Sequence, residues 1–544
     1  MQSILLRRRL ARDDSLLSLP SPVTDVEAGL QATHSSRSSA TVASAAVEDP
    51  AREDHQPASA ASDGKEVKME KDSFLVEFAP NDPLDPKNWS YFRRWVYTFM
   101  ITHIAFVVSE AVSINSAAAP YAAADLNVSE EVILLDTALF LVGFGLAAPI
   151  IGPLSEVGGR NPVYILSLLA LVVFEIGTAC TNTIHARCIL RFFAGCAASS
   201  PLSVAGGSLA DMWTPLQRVF AVPVFAVSGF FAPAIGPVLG GFIGQYYDYK
   251  WCDWVTAIWA ALVLDTTFLI LPETFAPEIL KLKASALRAK TGNPAYKTAL
   301  EKLREQVPFH VHFVDALRRP FAMLVLEPIV VFFSLYMTMV YVVLFGDLVA
   351  YTYIFQQPYS LSDGVLGLTF LSICVGLLLY GAFIPVMYKS YKREAAKAEQ
   401  EGRAIQPEQH LKIAMLGTWF IPISLFWGAW TSWSHPSSMI WSVLVSQVLF
   451  GTGILSVFIA SYQYIIDTYL ATAASALAVF TFVRYPISGG AVMFTTPMYK
   501  NLGRHWALSL LGFLSLLLSA IPFVFFFYGP RIRSWSRYTP KVTH

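Results

Sequence analysis

Long apolar stretches alternate with short polar segments along residues 95–528 of this chain. Each stretch holds about 19–25 residues, close to the ~20 residues that an α-helix needs to cross ~30 Å of hydrocarbon. The pattern therefore predicts an all-α membrane protein with twelve membrane-spanning helices. The predicted spans, numbered 1 to 12, are 95–117, 131–152, 162–180, 187–210, 219–243, 252–271, 323–345, 362–385, 411–431, 439–461, 473–496 and 506–528.

The positive residues fall almost entirely on alternate sides of these spans. With the N-terminus placed in the cytoplasm, 33 of the 39 Lys and Arg residues are cytoplasmic, four lie on the opposite side and two lie within spans. Leaving out nine residues in the distant part of the N-terminal tail still gives 24 against four. Because Lys and Arg favour the cytoplasmic side of a membrane, both termini are predicted to be cytoplasmic.

The longest polar gap between spans, residues 272–320, divides the spans into two groups of six. Residues 1–79 are rich in Ser, Ala and charge, a composition typical of disorder. Amphipathic helices are predicted in the gap at 279–290 and 296–306. The predicted domains are a disordered cytoplasmic tail (1–94), a six-helix bundle (95–271), a cytoplasmic linker (272–320), a second six-helix bundle (321–528) and a cytoplasmic C-terminal tail (529–544). Such doubled bundles are typical of secondary transporters, with the substrate between the halves.

Composition argues against several other functions. Apolar residues make up 54% of the chain and the formal net charge is zero, so no nucleic-acid partner is predicted. The sequence contains no phosphate-binding G-x-x-x-x-G-K-[ST] loop, so uphill transport would need an ion gradient. The five cysteines have no metal-ligand spacing, and no catalytic constellation occurs in the spans. We therefore expect no metal, no cofactor and no enzymatic activity.

A glycine-rich loop joins spans 2 and 3. Gly152 and Gly159 suit a tight reversal, and Glu156 and Arg160 stand where they can pair with each other or with the other half. The segment resembles the signature of the major facilitator superfamily, G-x-L-a-D-r-x-G-r-k. The resemblance implies a major facilitator fold, with a cytoplasmic gate built on these four residues. Asn161 replaces the usual second basic residue, which would weaken that gate.

Span 4 contains an arginine, Arg191, one to two turns below the predicted outer surface. A charge at that depth is costly and normally faces a water-filled cavity, unless the side chain extends to the nearer headgroups. The surrounding residues resemble the fourth-helix motif of the same superfamily. That resemblance implies a role for Arg191 in proton coupling.

Span 5 is rich in glycine and proline, which permit close helix contact and bending. Its sequence is similar to the superfamily element associated with antiporters rather than symporters. The hinge predicted from it comprises Gly229, Pro233, Gly236, Pro237, Gly240 and Gly241.

Further segments resemble fungal drug:proton antiporters with twelve spans. They are 272–277, Glu327 with the proline that follows it, and 474–477 with Arg484. Within that family the chain is most similar in style to exporters of secondary metabolites of the cercosporin-exporter type. The resemblance implies a monomeric antiporter that exports small organic compounds in exchange for protons. It implies the plasma membrane, with the vacuolar membrane as the alternative.

An exchanger needs an acid whose protonation alternates. Glu110 is the first candidate, because it lies about 22 Å along span 1 and could pair with Arg191. Arg484 would serve the second half as the partner of a carboxylate; a structural role for either residue remains open. Weaker candidates, expected near outer interfacial water, are Asp136, Glu175, Asp265 and Asp347.

Polar and aromatic residues inside spans are candidates for the substrate cavity: Asn115, Glu327, Tyr336 and Tyr462. Asn115 could instead satisfy a helix end, and Glu327 could gate the inner side or cap a broken helix. Asn127 begins a glycosylation sequon in a predicted outer loop. Two other functions remain open, a broad multidrug or polyamine exporter and a non-transporting membrane sensor with the same fold.

Overall fold

The computed structural model describes residues 74–306, 309–402, 405–432, 438–469 and 472–538. Across these residues the backbone is almost wholly helical, and eleven helical runs are long and apolar enough to cross a membrane. Spans 1 to 10 are Tyr91–Ala117, Glu130–Gly158, Arg160–Cys180, Ile184–Met212, Pro215–Tyr246, Lys250–Ile270, Pro328–Tyr359, Asp363–Gln400, Pro407–Thr431 and Met439–Tyr469. The last run, Ala473–Trp535, holds spans 11 and 12, because Gly503 with φ 73° breaks the helix between them. The predicted all-α class with twelve spans is confirmed.

Capping residues and prolines set the helix ends. The Ser90 and Ser129 side chains accept hydrogen bonds from backbone N–H groups at the starts of spans 1 and 2. Span 7 begins at Pro328, five residues later than predicted. Pro328 disfavours helical backbone at the preceding residue, and Glu327 is extended there, so the helix Phe309–Leu326 ends first.

The glycines of span 5 bring it against span 1. A β-carbon on Gly240 would lie 1.9 Å from the Ile114 carbonyl oxygen, and one on Gly236 would lie 2.1 Å from Ser113 Oγ. Gly229 has no such neighbour, since the nearest atom, on Leu202, would be 3.9 Å away. Close packing against span 1 therefore explains Gly236 and Gly240, but not Gly229.

The two halves pack through spans 2 and 11 and through spans 5 and 8. A β-carbon on Gly145 of span 2 would lie 2.3 Å from the ring of Pro486 in span 11, and one on Gly241 of span 5 would lie 2.6 Å from the Asp363 carbonyl oxygen. The two halves therefore approach each other closely at both positions.

Polar contacts also join the halves at both ends of the bundle. We call the end where the chain enters span 1, near Tyr91, the terminal end, and the opposite end the distal end. At the distal end the Tyr121 hydroxyl donates to Asp363. At the terminal end Arg218 pairs with Asp467 at 3.5 Å. The two halves are therefore in contact at both ends of the bundle.

The end of the N-terminal tail is folded against the linker. Val76 and Leu84 are buried with Ile279 and Leu287 of the linker helix Ala276–Thr291, and the Val76 backbone N–H donates to the Lys297 carbonyl. The second linker helix, Ala299–Gln306, also forms as predicted. The predicted disorder is therefore wrong for residues 74–94, because a few apolar side chains in that stretch find a partner surface. Residues 1–73 and 539–544 of the predicted tails lie outside the described part of the chain.

Candidate functional site

Four carboxylates and two guanidinium groups lie together inside the first half. We call this group the buried ionic cluster; its members are Glu110, Asp136, Glu175, Asp253, Arg187 and Arg191. The six residues come from five spans, which only the folded bundle brings together. None of them is more than 2% exposed.

Arg187 binds two aspartates in the cluster. Its Nη1 and Nη2 donate to the Asp253 carboxylate at 2.7 and 3.1 Å, and its Nε donates to Asp136 at 3.1 Å. Asn115 supports the same site, since its side-chain amide donates to Asp253 Oδ1 at 2.7 Å. The Tyr249 ring lies 5.5 Å from the Arg187 guanidinium and covers it at the distal end. Tyr249 lies just outside span 6, and burial raises its pKa to about 12, so its hydroxyl stays protonated.

Arg191 forms internal contacts instead of extending to the headgroups. Its Nη1 donates to Glu175 at 2.8 Å, its Nε lies 3.4 Å from Asp136, and its Nη2 donates to the Ala111 carbonyl at 2.7 Å. The expected direct pair between Arg191 and Glu110 does not form in the described structure, because Arg191 is turned toward Glu175. The guanidinium instead contacts the backbone of span 1 one residue beyond Glu110.

Glu110 faces a hydroxyl whose single proton has two possible acceptors. Thr256 Oγ1 lies 3.0 Å from the Cys252 carbonyl oxygen and 3.3 Å from Glu110 Oε2. A hydroxyl has one proton to donate. If Thr256 donates to Cys252, a protonated Glu110 can complete the arrangement by donating to Thr256. The other Glu110 oxygen, Oε1, has no hydrogen-bond partner in the described structure.

Two of the weaker proton candidates belong to the cluster. Asp136 and Glu175 are buried, so the expectation that they reach outer interfacial water is wrong. Asp347 is buried in the second half, and only Asp265 is exposed. Burial of the first two follows from their charge partners, which a linear sequence does not display.

A second buried charge lies in the second half, in what we call the central aromatic cluster: Arg484, Tyr341, Phe458, Tyr462 and Tyr485. The Arg484 guanidinium is fully buried and lies 4.4, 5.4 and 5.2 Å from the ring centroids of Tyr341, Phe458 and Tyr485. None of its three nitrogens has a hydrogen-bond partner in the described structure. The carboxylate partner expected for Arg484 is therefore missing from the described residues.

Aromatic residues of the first half close over this cluster. Phe230 of span 5 packs edge-on against Tyr341 and Phe458, at 5.6 and 4.9 Å between centroids. Phe144 of span 2 stacks on Tyr485 at 4.2 Å. The cluster therefore lies where the two halves meet.

The substrate-cavity candidates have separate locations. Tyr462 is at the interface, because its hydroxyl donates to the Leu202 carbonyl of the first half at 3.0 Å. Tyr336 is buried within the second half, where it bonds Thr418. Glu327 accepts from the Tyr469 hydroxyl at 2.8 Å and from the Arg537 backbone N–H at 2.9 Å, which ties it to the terminal end. Asn115 contacts the buried ionic cluster through Asp253. The structure brings only Tyr462 to the central aromatic cluster.

The loop between spans 2 and 3 is held mainly by its own half. Gly159 adopts φ 89°, and the Glu273 carboxylate accepts from the backbone N–H groups of Arg160 and Asn161. Burial raises the pKa of Glu273, although four backbone N–H groups donate to it. The Arg160 side chain pairs with Asp211 at 3.5 Å and donates to Ser155.

The remaining residues of the predicted gate and the glycosylation candidate are placed as follows. Gly152 is buried with free space around it, and Glu156 is half-buried, within electrostatic reach of Arg160 and of Arg319 in the helix before span 7. Asn127 is exposed in the distal loop with φ 52°.

Sequence reasoning missed Arg187 and Asp253 as site residues. Both residues lie at the starts of predicted spans, Arg187 in span 4 and Asp253 in span 6, where a charge is easily explained by the membrane surface. One signal was available: Arg187 and Arg191 are four residues apart and so share one helix face. Two arginines on one face of a buried helix require acids on the neighbouring spans.

Twelve apolar helices in two halves, with an ionic cluster buried in the first half and a buried arginine where the halves meet, are the architecture of an integral membrane transporter. The sequence model described as Major Facilitator Superfamily matches residues 101–493. The chain belongs to that superfamily, as its motifs indicated.

Relatives in fungi are similar over most of the chain. The MFS-type transporter kojT of Aspergillus flavus is 40% identical over 474 residues, which cover 86% of this chain and 83% of kojT. The citrinin biosynthesis cluster MFS transporter mrr1 of Monascus ruber is 35% identical over 86% of this chain and 93% of its own length. Among solved structures, the proton:xylose symporter XylE matches 80% of this chain and 97% of its own, with a TM-score of 0.58 and 14% identity, a likeness of fold alone.

Proposed function

We propose that this chain is a proton-coupled antiporter that exports a small amphipathic organic compound, a fungal secondary metabolite, by alternating access. The observation that carries the proposal is the buried ionic cluster. Secondary transporters place coupling groups inside the bundle, and intramembrane ionisable residues commonly form proton relays.

The charge balance of the cluster supports proton binding. Four ionised carboxylates against two guanidinium groups would leave an excess of two negative charges, and all six residues are buried. A buried, uncompensated carboxylate is strongly unfavourable, and binding a proton removes that cost. The cluster would therefore hold protons while closed and release them when water enters.

Glu110 is the acid best suited to exchange a proton. Arg187 and Arg191 directly pair Asp136, Glu175 and Asp253, whereas Glu110 forms no ion pair within 4 Å among the described residues. When Thr256 donates to the Cys252 carbonyl, its hydroxyl oxygen can accept a hydrogen bond from protonated Glu110.

Span 2 provides a physical route from the cluster to the interface. The Arg191 guanidinium lies 4.5 Å from the Phe140 ring, and Phe144, one helical turn further, stacks on Tyr485. A change of charge at the cluster can therefore shift span 2 against span 11. This route is part of the proposal and is open to mutational tests.

The relatives support the substrate and the setting. The name of the Monascus relative places it in a secondary-metabolite biosynthesis cluster, which favours metabolite export for this chain as well. A polyamine is less well supported, because the interface carries a buried arginine that would repel a polycation. The charge bias along the sequence favours cytoplasmic termini, and we assign the protein to the plasma membrane as a monomer.

Purified protein reconstituted into vesicles tests this proposal. With a pH-sensitive dye trapped inside the vesicles, adding a transported aromatic metabolite should move protons across the membrane. An imposed pH gradient should in turn drive uptake of the metabolite. Glu110→Gln should lower gradient-driven uptake at least ~10-fold while exchange of substrate for substrate continues. The matched control is Glu131→Gln, an exposed carboxylate paired with Lys500 at the distal surface, which should behave as the wild type. Uptake that does not depend on the pH gradient would contradict proton-coupled antiport.

A further inference from the structure

We propose that Arg484 is the receptor for a negatively charged group on the exported compound, which makes the substrate class planar organic anions such as aromatic carboxylates. This inference rests on the proposed export function and narrows its substrate.

Arg484 differs from the other buried arginines of the membrane spans in what surrounds it. Arg187 and Arg191 each contact two carboxylates, at distances of 2.7–3.4 Å. Arg484 is as deeply buried, yet its Nε, Nη1 and Nη2 have no hydrogen-bond acceptor among the described residues. An arginine that serves only packing would be expected to have such acceptors, because a buried guanidinium without them is costly.

The aromatic rings around Arg484 replace part of the hydration of its guanidinium, but they leave its N–H groups without hydrogen-bond acceptors. Three ring faces lie 4.4–5.4 Å from the guanidinium carbon, and a cation above an aromatic face gains electrostatic stabilisation. Aromatic rings do not accept the five N–H hydrogen bonds that the planar guanidinium can donate. The geometry of those donors matches a carboxylate bound in bidentate fashion. The chemistry left unsatisfied at this position is that of an oxyanion receptor.

Arg484 also lies where a transported ligand is expected to bind, between the two halves. Aromatic residues of both halves meet around it, with Phe144 stacked on Tyr485 and Phe230 packed on Tyr341. When the halves separate, these ring pairs part and leave flat apolar faces beside the guanidinium. Such faces suit a planar ring that carries the anionic group.

Stability separates a receptor role from a structural one. Arg484→Met removes a buried charge without orphaning any carboxylate, so the variant should be at least as thermally stable as the wild type. A structural Arg484 would make the same substitution destabilising. An increase or no change in Tm agrees with the receptor role, and a clear decrease contradicts it.

Binding to the purified full chain in detergent tests the anion preference. The probes are 2-naphthoate and its neutral counterpart 2-naphthamide, titrated by calorimetry, with ligand-induced thermal stabilisation as a second readout. We expect the wild type to bind the naphthoate at least ~10-fold more tightly than the amide. Arg484→Met should abolish that preference, and Arg484→Lys should keep part of it.

Each result has a defined meaning. Equal affinity for the two probes, a preference that survives Arg484→Met, or no binding of either probe would overturn the receptor assignment. Proton release on adding some other metabolite to vesicles would leave antiport intact in those cases. Loss of antiport with a retained, Arg484-dependent preference for naphthoate would instead reject the proposed function and keep the receptor.

Discussion

The Tyr121 hydroxyl donates a 2.6 Å hydrogen bond to Asp363 Oδ2 and thereby links the two halves at the distal end. Beside it, the Gly364 backbone N–H donates to the side chain of Gln245 at 3.1 Å. Tyr121 lies in the short helix Ala119–Asp125 after span 1, and Asp363 begins span 8. Alternating access requires these bonds to break whenever the bundle opens distally.

Tyr121→Phe should make distal opening easier. Loss of one hydrogen bond to an acidic group at a partly exposed site should favour the open form by about 1 kcal/mol, roughly fivefold. Amide hydrogen exchange in residues 361–366 should accelerate accordingly. Tyr246→Phe, an exposed tyrosine at the same end, is the matched control and should leave exchange unchanged. Equal exchange in both variants would show that the Tyr121 bond does not hold this end closed.

The Tyr121 contact should not respond to physiological pH. The hydrogen bond to Asp363 raises the pKa of Tyr121 from 10.0 to about 12. A phenol with a raised pKa contributes fully below pH ~10, and its contribution is lost as pH rises through about 12. Exchange in residues 361–366 should therefore show no step between pH 5 and 9 that depends on Tyr121. A Tyr121-dependent step in that range would contradict the assignment.

Two glycines of the span 5 motif should differ sharply in their tolerance of a methyl group. Gly240→Ala places a β-carbon 1.9 Å from the Ile114 carbonyl oxygen, so spans 1 and 5 must separate. We expect a loss of about 1–3 kcal/mol, measured as a lower thermal midpoint in detergent. Gly229→Ala is the matched control, since its β-carbon meets nothing closer than 3.9 Å. Equal midpoints for the two variants would refute the packing role of Gly240.

Arg187→Met should destabilise the first half. The substitution leaves Asp136 and Asp253 buried without this cation, a change that costs about 3–5 kcal/mol in other buried pairs. The expected result is a large fall in thermal midpoint, partly rescued by adding Asp253→Asn. Lys250→Met, which removes a basic residue at the start of span 6, should be close to neutral. A stable Arg187→Met protein would mean that the aspartates are already neutral.

The tail should protect the linker from proteolysis. Asp82 pairs with Lys283 at 2.7 Å, and both side chains are nearly inaccessible. Asp82→Asn should loosen residues 74–90 and speed tryptic cleavage after Lys297, whose backbone pairs with the tail, by about tenfold or more. Glu77→Gln changes an exposed carboxylate in the same segment and serves as the control. Unchanged cleavage in Asp82→Asn would show that the ion pair does not hold the tail.

The sequence predicted the positions of the membrane-spanning helices better than the side-chain contacts between them. Twelve spans follow from hydropathy alone, because length and composition decide whether a helix can cross a membrane. Which faces meet depends on the rotation and packing of each helix, which one sequence does not specify. Glu110 was therefore expected beside Arg191, whereas Arg191 turned to Glu175. Arg187 and Asp253 were missed for the same reason.

The tail shows a different limit of sequence reasoning. The composition of residues 1–79 indicates disorder on average, and an average hides a few apolar anchors. Val76 and Leu84 find a complementary surface on the linker helix, and Asp82 finds Lys283. Such long-range pairing leaves no periodic signal in the tail itself.

The unpaired charge of Arg484 has a consequence for the pace of the cycle. Bringing the two halves together without cargo takes a guanidinium out of water with no anion beside it, which makes the cargo-free return, with protons bound, the slower half of the cycle. An anionic cargo removes that barrier, so the export step would be the faster half. Arg484→Met should then reverse this order, speeding the return while slowing the export of an anion.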